Sequence, residues 1–255
     1  MKYNTLEDYK DFLCTCYTKA TAETYFKCME YLLSDQYIID CKNINIEKLL
    51  QKLESMRYKN QYSKYKNAFL KFCEFQNIKL DNNTLLSLDI MKLDKKKKYR
   101  KLNKVRLTDI KNKIKVIRDK RLKLSYETML ATGLRVSELS QIKKADCITT
   151  ENSILFRFIA KGGKKESVQI SAESHKRLFN DLVKLIEDNK QEKLFYSSNY
   201  LQKEATKRGF QCHDLRRAFA KIEYKKNRNL DKVRLSLRHK SIKNTKIYLK
   251  SKVEI

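Results

Sequence analysis

The sequence contains no proline and only four glycines, has three histidines, and carries 30 acidic side chains against 58 basic ones in its 255 residues. Without proline nothing along the chain locks φ and interrupts a helix. Backbone freedom is therefore concentrated at Gly133, Gly162, Gly163 and Gly209, each within four residues of Arg135, Lys161 or His213. No apolar run approaches the ~20 residues of a membrane-spanning helix. The opening residues MKYNTLEDYK lack the apolar stretch of a signal peptide, so a cytoplasmic address is expected. The seven cysteines (14, 16, 28, 41, 73, 147 and 212) include no CxxC and no paired histidine. That excludes the closely spaced four-ligand pattern of a zinc site and leaves reduced core thiols as the expectation. No phosphate-binding glycine loop is present either. A hydrophobic content of 41% excludes a wholly disordered chain, and the length suits one large domain or two ordinary ones.

The positive charge is unevenly placed. Residues 1–90 hold 13 Lys and Arg against 12 Asp and Glu, whereas residues 91–255 hold 45 against 18. An excess of this size in one part of a chain reads either as a polyanion-binding surface, with nucleic acid as the partner, or as a lysine-rich solvated face.

The first part reads as a bundle of four amphipathic helices. Thr5 and Asp8 mark a capped start, and Leu6, Tyr9, Phe12, Leu13 and Cys16 form a stripe at helical spacing. Tyr25, Cys28, Met29, Leu32 and Leu33 form a second, Ile46, Leu49, Leu50 and Leu53 a third, and Tyr62, Tyr65, Phe69, Phe72 and Cys73 a fourth. This domain is expected over residues 1–90. Residues 91–104 then form a basic linker, in which Lys95, Lys96, Lys97, Lys98 and Arg100 are candidates for tracking a phosphate backbone. Arg57, Lys59, Lys64 and Lys66, with Lys71, are read as one basic side of the bundle.

Over residues 105–255 the pattern is again mainly helical, around Ile110 to Ile117, Tyr126 to Ile142 with a turn at Gly133, Leu178 to Ile186, and onward to about Tyr248. It is broken once: SILFRFIA and KESVQIS alternate, and Gly162-Gly163 between them marks a β-hairpin. The fold class is mainly α, a helical bundle followed by an α-rich domain with a small β-hairpin or sheet.

The chemistry-bearing residues lie mostly in the last third. CHDLRRAFA places His213 and Arg216 three residues apart, on one face of a helix. LRHKSIKNTKIYLK supplies His239 and Tyr248, nine apart, so a loop near Ser241 to Asn244 has to bring them together. Upstream, ATGLRVSEL supplies Arg135. Cationic donors around one hydroxyl nucleophile suit phosphate-ester chemistry.

Each element is weak alone, but TGLRxSEL, a lysine-bearing hairpin, HDLR, LxH and xTxxY in this order resemble the active-site signature of the tyrosine recombinases, the phage-integrase and Xer-like family. The resemblance covers about residues 105–250, and the upstream bundle is similar to the family's core-DNA-binding domain. It implies a DNA breaking-rejoining fold that cuts and rejoins double-stranded DNA at paired half-sites, as a dimer on each site and a tetramer in synapsis, without metal, cofactor or ATP. It also implies roles. Arg135 and Arg216 would hold the scissile phosphate, Lys161 would protonate the leaving 5′ oxygen, and His213 would assist proton transfer. His239 would hydrogen-bond the phosphate, Tyr248 would attack to give a 3′-phosphotyrosine, and Glu138 would support an arginine. A free tyrosine, with a pKa of ~10, is ionised to about one part in a thousand at neutral pH, so such a nucleophile needs a cationic pocket or a proton acceptor.

The chain departs from the family pattern in four places. Arg238 stands where LGH is usual, and is expected either to reshape that loop or to add a DNA contact. Arg217 follows HDLR where a histidine is common, and Lys164 and Lys165 crowd Lys161. Seven residues follow Tyr248, so the long C-terminal helix that many relatives exchange is not expected. A type IB topoisomerase uses a similar constellation, and a DNA-binding protein with a decayed site is the non-enzymatic alternative, for which Arg238 is the one hint.

Overall fold

Thr5 closes the first turn of α1 (Leu6–Cys16): its hydroxyl accepts from the Asp8 N–H at 3.2 Å, and the Asp8 carboxylate accepts from the Thr5 N–H at 3.0 Å, the reciprocal cap expected from the sequence. The structure, a computed structural model, describes residues 5–34, 44–56, 61–90, 105–160, 162–251 and 253–255, with Ile90 described in its backbone only. The basic linker, Arg57, Lys59, Cys41 and Lys161 lie outside the described residues. The chain divides into two compact units, residues 1–100 and 101–255.

In the first unit the four predicted stripes fall in α1, α2 (Lys19–Leu33), α3 (Ile46–Ser55) and α4 (Tyr62–Phe75). Tyr9, Leu13, Met29, Leu32, Leu49, Leu53, Phe69 and Phe72 from these helices share one core. Burying each large apolar side chain contributes about 2 kcal/mol. Two buried phenols keep a partner: the Tyr9 hydroxyl donates to the Ala68 carbonyl at 3.0 Å and that of Tyr62 to the Leu88 carbonyl at 3.1 Å. The second bond ties α4 to α5 (Asn82–Ile90), a fifth helix without a readable stripe, since Leu85 and Leu86 are exposed and Leu88 is buried. The cysteines correct one expectation. Cys28, Cys73 and Cys212 are buried, but Cys14 and Cys16 are exposed. Cys16 is the last residue of α1, and the chain leaves it in extended conformation at Tyr17, so the apolar stripe stops one turn earlier.

The second unit starts with β1 (Val105–Arg106), followed by α6 (Leu107–Lys115) and α7 (Lys120–Thr132). A left-handed turn at Gly133 (φ +64°) leads into the short α8 (Val136–Leu139). β2 (Cys147–Thr149), β3 (Ser153–Ile159) and β4 (Lys165–Ser171) form an antiparallel sheet in that order. The expected hairpin is β3–β4; β2 is too short to have been read from pattern. Ile154, Phe156 and Phe158 are buried while Arg157 and Ile159 face outward, the period of two that gave β3 away. Helices α9 (Ala172–Asp188), α10 (Ser198–Lys207), α11 (Cys212–Asn227), α12 (Leu230–Ser236) and α13 (Ile242–Leu249) complete the unit, and α11 packs along α7. The last residues return as β5 (Val253–Glu254), parallel to β1, with Val253 fully buried and the Ser251 carbonyl accepting from Lys221 at 2.9 Å. Among the described residues no helix is long and apolar enough to cross a membrane.

Gly133 sets the path of the chain into Arg135 and α8. Its N–H donates to the Met129 carbonyl at 2.9 Å to cap α7, and a Cβ there would lie 2.4 Å from Cδ1 of Phe219 on α11. Gly133→Ala adds left-handed strain of about 1–2 kcal/mol and overpacking of about 1–3 kcal/mol. Its urea midpoint is expected to fall by the equivalent of roughly 2–5 kcal/mol at unchanged slope; a midpoint within error of the parent would contradict that close approach.

Candidate active site

The turn after Gly133 carries Arg135 in extended conformation as the residue before α8, and Glu138 sits in the first turn of that helix. Glu138 Oε2 accepts from the Arg135 N–H at 2.8 Å, and its Oε1 pairs with Arg135 Nη1. The same carboxylate lies 3.8 Å from Arg216 Nη1 and 3.6 Å from Arg238 Nη2. Burial acts to raise the Glu138 pKa, but the hydrogen bonds and charge of Arg135, with the charge of Arg216, hold it below the ordinary range.

His213 and Arg216 lie on one face of α11, as their spacing predicts. Arg216 is completely buried; Nη1 donates to the Gly133 carbonyl and Nη2 to the Leu237 carbonyl, so one guanidinium joins the Arg135 turn to the end of α12. Burial and the neighbouring Arg135 push its pKa down to about 10.

Beyond α12, Arg238 takes a left-handed conformation (φ +54°) and the His239 N–H donates back to the Arg234 carbonyl at 3.0 Å. Ser241 caps α13, which carries Tyr248 back over the site. The loop expected at Ser241 to Asn244 is thus mostly helix, and the reversal that brings His239 to Tyr248 is made at Arg238. The two rings stand 4.8 Å apart, and the His213 ring is 5.1 Å from Tyr248 on another side. The Tyr248 hydroxyl is 2.7 Å from His213 Nε2, and Arg216 Cζ is 5.9 Å from the centre of the phenol ring.

Arg135, Glu138, His213, Arg216, His239 and Tyr248 are therefore brought together from four separate stretches of sequence. Arg135, His239, Asn244, Ile247 and Tyr248 line one open cavity; a second, of about 420 Å³, is lined by Arg135, Gln202, Thr206, His213, Arg216 and their neighbours. Burial, with Arg217 and Arg216, pushes the His213 pKa down to about 4. Solvent screens part of that shift, because His213 keeps an exposed edge. At neutral pH the ring is uncharged and one nitrogen can accept a proton. Two residues had no assigned role in the sequence. Thr245, inside the xTxxY stretch, bonds His239 Nδ1 at 3.1 Å through its hydroxyl, and Arg217 pairs with Asp214 at 2.9 Å.

The expected DNA contacts fare differently. The Arg238 side chain is 9% exposed and turned inward onto Glu138 and the Phe158 ring, which corrects its reading as a phosphate contact. The left-handed backbone explains why glycine is usual there. Lys64 is exposed, whereas Lys66 pairs with Asp89 and Lys71 with Glu74 at 2.6 Å.

His239 sets a pH limit on stability. It is buried, and desolvation together with Arg216, Arg135, Arg238 and His213 pushes its pKa down to about 4, below the ~6.5 of an unfolded histidine. As pH falls from about 6.5 the unfolded chain binds a proton that the folded chain refuses, until the folded ring titrates near 4. Up to roughly 3 kcal/mol is lost across that window. His239→Gln, which keeps a partner for Thr245, is expected to flatten the fall in unfolding free energy between pH 6.5 and 4.5; parallel curves for the two proteins would exclude His239 as its source.

Comparison with known proteins concerns the chain as a whole. Residues 95–254 match the model of the phage integrase family. The tyrosine recombinase XerH of Campylobacter jejuni is 32% identical over 180 residues, covering 63% of this chain and 48%, about half, of that protein. The tyrosine recombinase XerA of Saccharolobus solfataricus is 28% identical over 254 residues, covering 96% of this chain and 80% of that one. A lambda integrase (75–356) dimer bound to a COC' core site superposes with a TM-score of 0.67 at 15% identity, covering 96% and 95% of the two chains. With the matched region running from residue 95 to 254, more than half of its length, the chain belongs to the phage integrase family.

Proposed function

We propose that this chain cuts and rejoins double-stranded DNA at specific paired half-sites through a 3′-phosphotyrosine on Tyr248, two protomers acting on each site and four in synapsis. The observation that carries the reading is the Tyr248 hydroxyl, 2.7 Å from His213 Nε2 and ringed by Arg135, Arg216 and His239. In the attack His213 Nε2 accepts the phenolic proton while the oxygen bonds to phosphorus. Charge gathering on the non-bridging oxygens is met by Arg135 and His239, and by Arg216 once the phenol ring shifts from it. Lys161 gives a proton to the leaving 5′ oxygen. The reverse steps reseal the strand, and because the phosphodiester energy is kept in the tyrosyl ester, no ATP is required. The basic segment Lys95, Lys96, Lys97, Lys98 and Arg100, with Arg57, Lys59 and Lys64, supplies backbone contacts outside the reacting phosphate.

Two features favour recombinase over topoisomerase: the related chains carry the name recombinase, and the match to XerA runs through the upstream helical bundle as well as the second unit. The decayed-site reading rested on Arg238, which lies beside Glu138 and leaves the other side chains assembled. The test is covalent trapping on nicked suicide duplexes carrying candidate half-sites, in EDTA and without nucleotide. A stable protein–DNA adduct is expected; its absence on every candidate, with DNA binding intact, would sink the proposal.

A further inference from the structure

Arg238 is placed at a cost on two counts. It holds a left-handed backbone, which a glycine would accept freely, and it buries a guanidinium whose Nε has no hydrogen-bond partner. The contacts of that side chain are specific. Nη2 lies 3.6 Å from Glu138 Oε2 and 3.4 Å from the Gly133 carbonyl, Nη1 donates to the Ser236 carbonyl at 3.1 Å, and Cζ stands 5.3 Å from the centre of the Phe158 ring on β3. The Gly133 carbonyl also accepts from Arg216, and Glu138 Oε2 also accepts from the Arg135 N–H. One carboxylate and one carbonyl thus organise three guanidinium groups, and Arg238 is the one whose main chain leads directly into His239.

We propose that Arg238 is a positioning residue for DNA cleavage, fixing the His239 turn against the Arg135 turn through Glu138 and the Gly133 carbonyl, and so holding both residues at the phosphate-binding cavity they share with Tyr248. This rests on the reading of the site as a DNA-cutting centre. Arg135 keeps its own two bonds to Glu138 without Arg238, so neither turn unfolds when the guanidinium is removed; their mutual registration is lost instead. A displacement of about 1 Å between groups that must meet one phosphate is enough to cost on the order of a hundredfold in rate. The contact with Phe158 extends the same clamp to β3, the first strand of the hairpin.

Arg238→Gly separates this from the alternatives, because glycine keeps the left-handed turn without strain. The variant is expected to melt within a few degrees of the parent and to bind the duplex with a Kd within about twofold and an unchanged salt dependence. Its single-turnover rate of adduct formation is expected to fall about tenfold to a hundredfold. Arg238→Lys, which can still reach Glu138 with a charge, should recover part of that loss. Introduced beside Glu138→Gln, Arg238→Gly should slow cleavage little further, since both changes break one connection. A parent-like cleavage rate for Arg238→Gly overturns the proposal. So does a weakened Kd whose salt slope drops by about one, the mark of a direct phosphate contact. Fully additive losses in the double variant overturn it as well. A parent chain that forms no adduct overturns the underlying reading, and this inference with it; a parent that does, beside an equally fast Arg238→Gly, removes only this one.

Discussion

Tyr248→Phe is expected to bind duplex DNA as the parent does and to form no covalent adduct, a loss on the order of ten-thousandfold or more in single-turnover cleavage, as for removal of a covalent nucleophile elsewhere. The substitution deletes one oxygen. It removes the 2.7 Å bond to His213 but leaves the ring contacts to His213 at 5.1 Å, to His239 at 4.8 Å and to Arg216 at 5.9 Å. His213 keeps an exposed edge through which water can replace the lost partner, so unfolding free energy should change by no more than about 1 kcal/mol. A chemical loss of that size with near-parent stability and binding is what separates a nucleophile from a packing residue. The sequence holds 15 tyrosines, and the alternative for any one of them is packing. An adduct of parent yield from Tyr248→Phe would move the nucleophile to another phenol and leave the His213 contact without its proposed purpose.

How much of this was legible beforehand depended on whether the signal was local. The helices of the first unit could be read because each repeats an apolar residue every three or four positions, and β3 could be read because it alternates. The order of Arg135, His213, Arg216, His239 and Tyr248 was legible because it is a matter of spacing. Direction was not. Nothing within LRH tells that the Arg238 side chain turns inward, because the reason lies in Glu138 and the Gly133 carbonyl about a hundred positions earlier and in a left-handed backbone that arginine seldom adopts. The loop expected before Tyr248 was misplaced for a related reason: the reversal is completed at Arg238 and Ser241 already caps α13, whose first residues are too polar to betray a helix. The β1–β5 pair was unreadable, because two-residue strands separated by most of the unit leave no periodic trace. The exposure of Cys16 reflects where α1 ends, and helix ends are less sharply written than helix faces.

Arg216 gives the largest effect expected on folding as well as on chemistry. Arg216→Lys keeps the charge but replaces the planar fork, in which Nη1 serves the Gly133 carbonyl and Nη2 the Leu237 carbonyl, with a single ammonium that does not reproduce both bonds in that geometry. One carbonyl is left without a donor in a completely buried place, a loss of about 1–3 kcal/mol. Arg216→Ala abandons both and empties the space, and about 3–5 kcal/mol is expected, close to what removal of one partner from other buried ion pairs costs. The protein tolerates such a residue although desolvation and Arg135 already lower its pKa to about 10. Stability alone does not account for it, since an apolar side chain of similar volume fills a core at no desolvation cost. Under the proposed function, a guanidinium that links two turns and lies beneath the Tyr248 ring would account for it, its remaining N–H groups serving as donors to an entering phosphate when that ring moves. Arg216→Lys should therefore lose roughly a hundredfold or more in adduct formation beyond what its unfolded fraction explains, measured at a temperature where it is fully folded. Cleavage at the parent rate by the folded lysine variant would show that the fork serves the fold and not the phosphate.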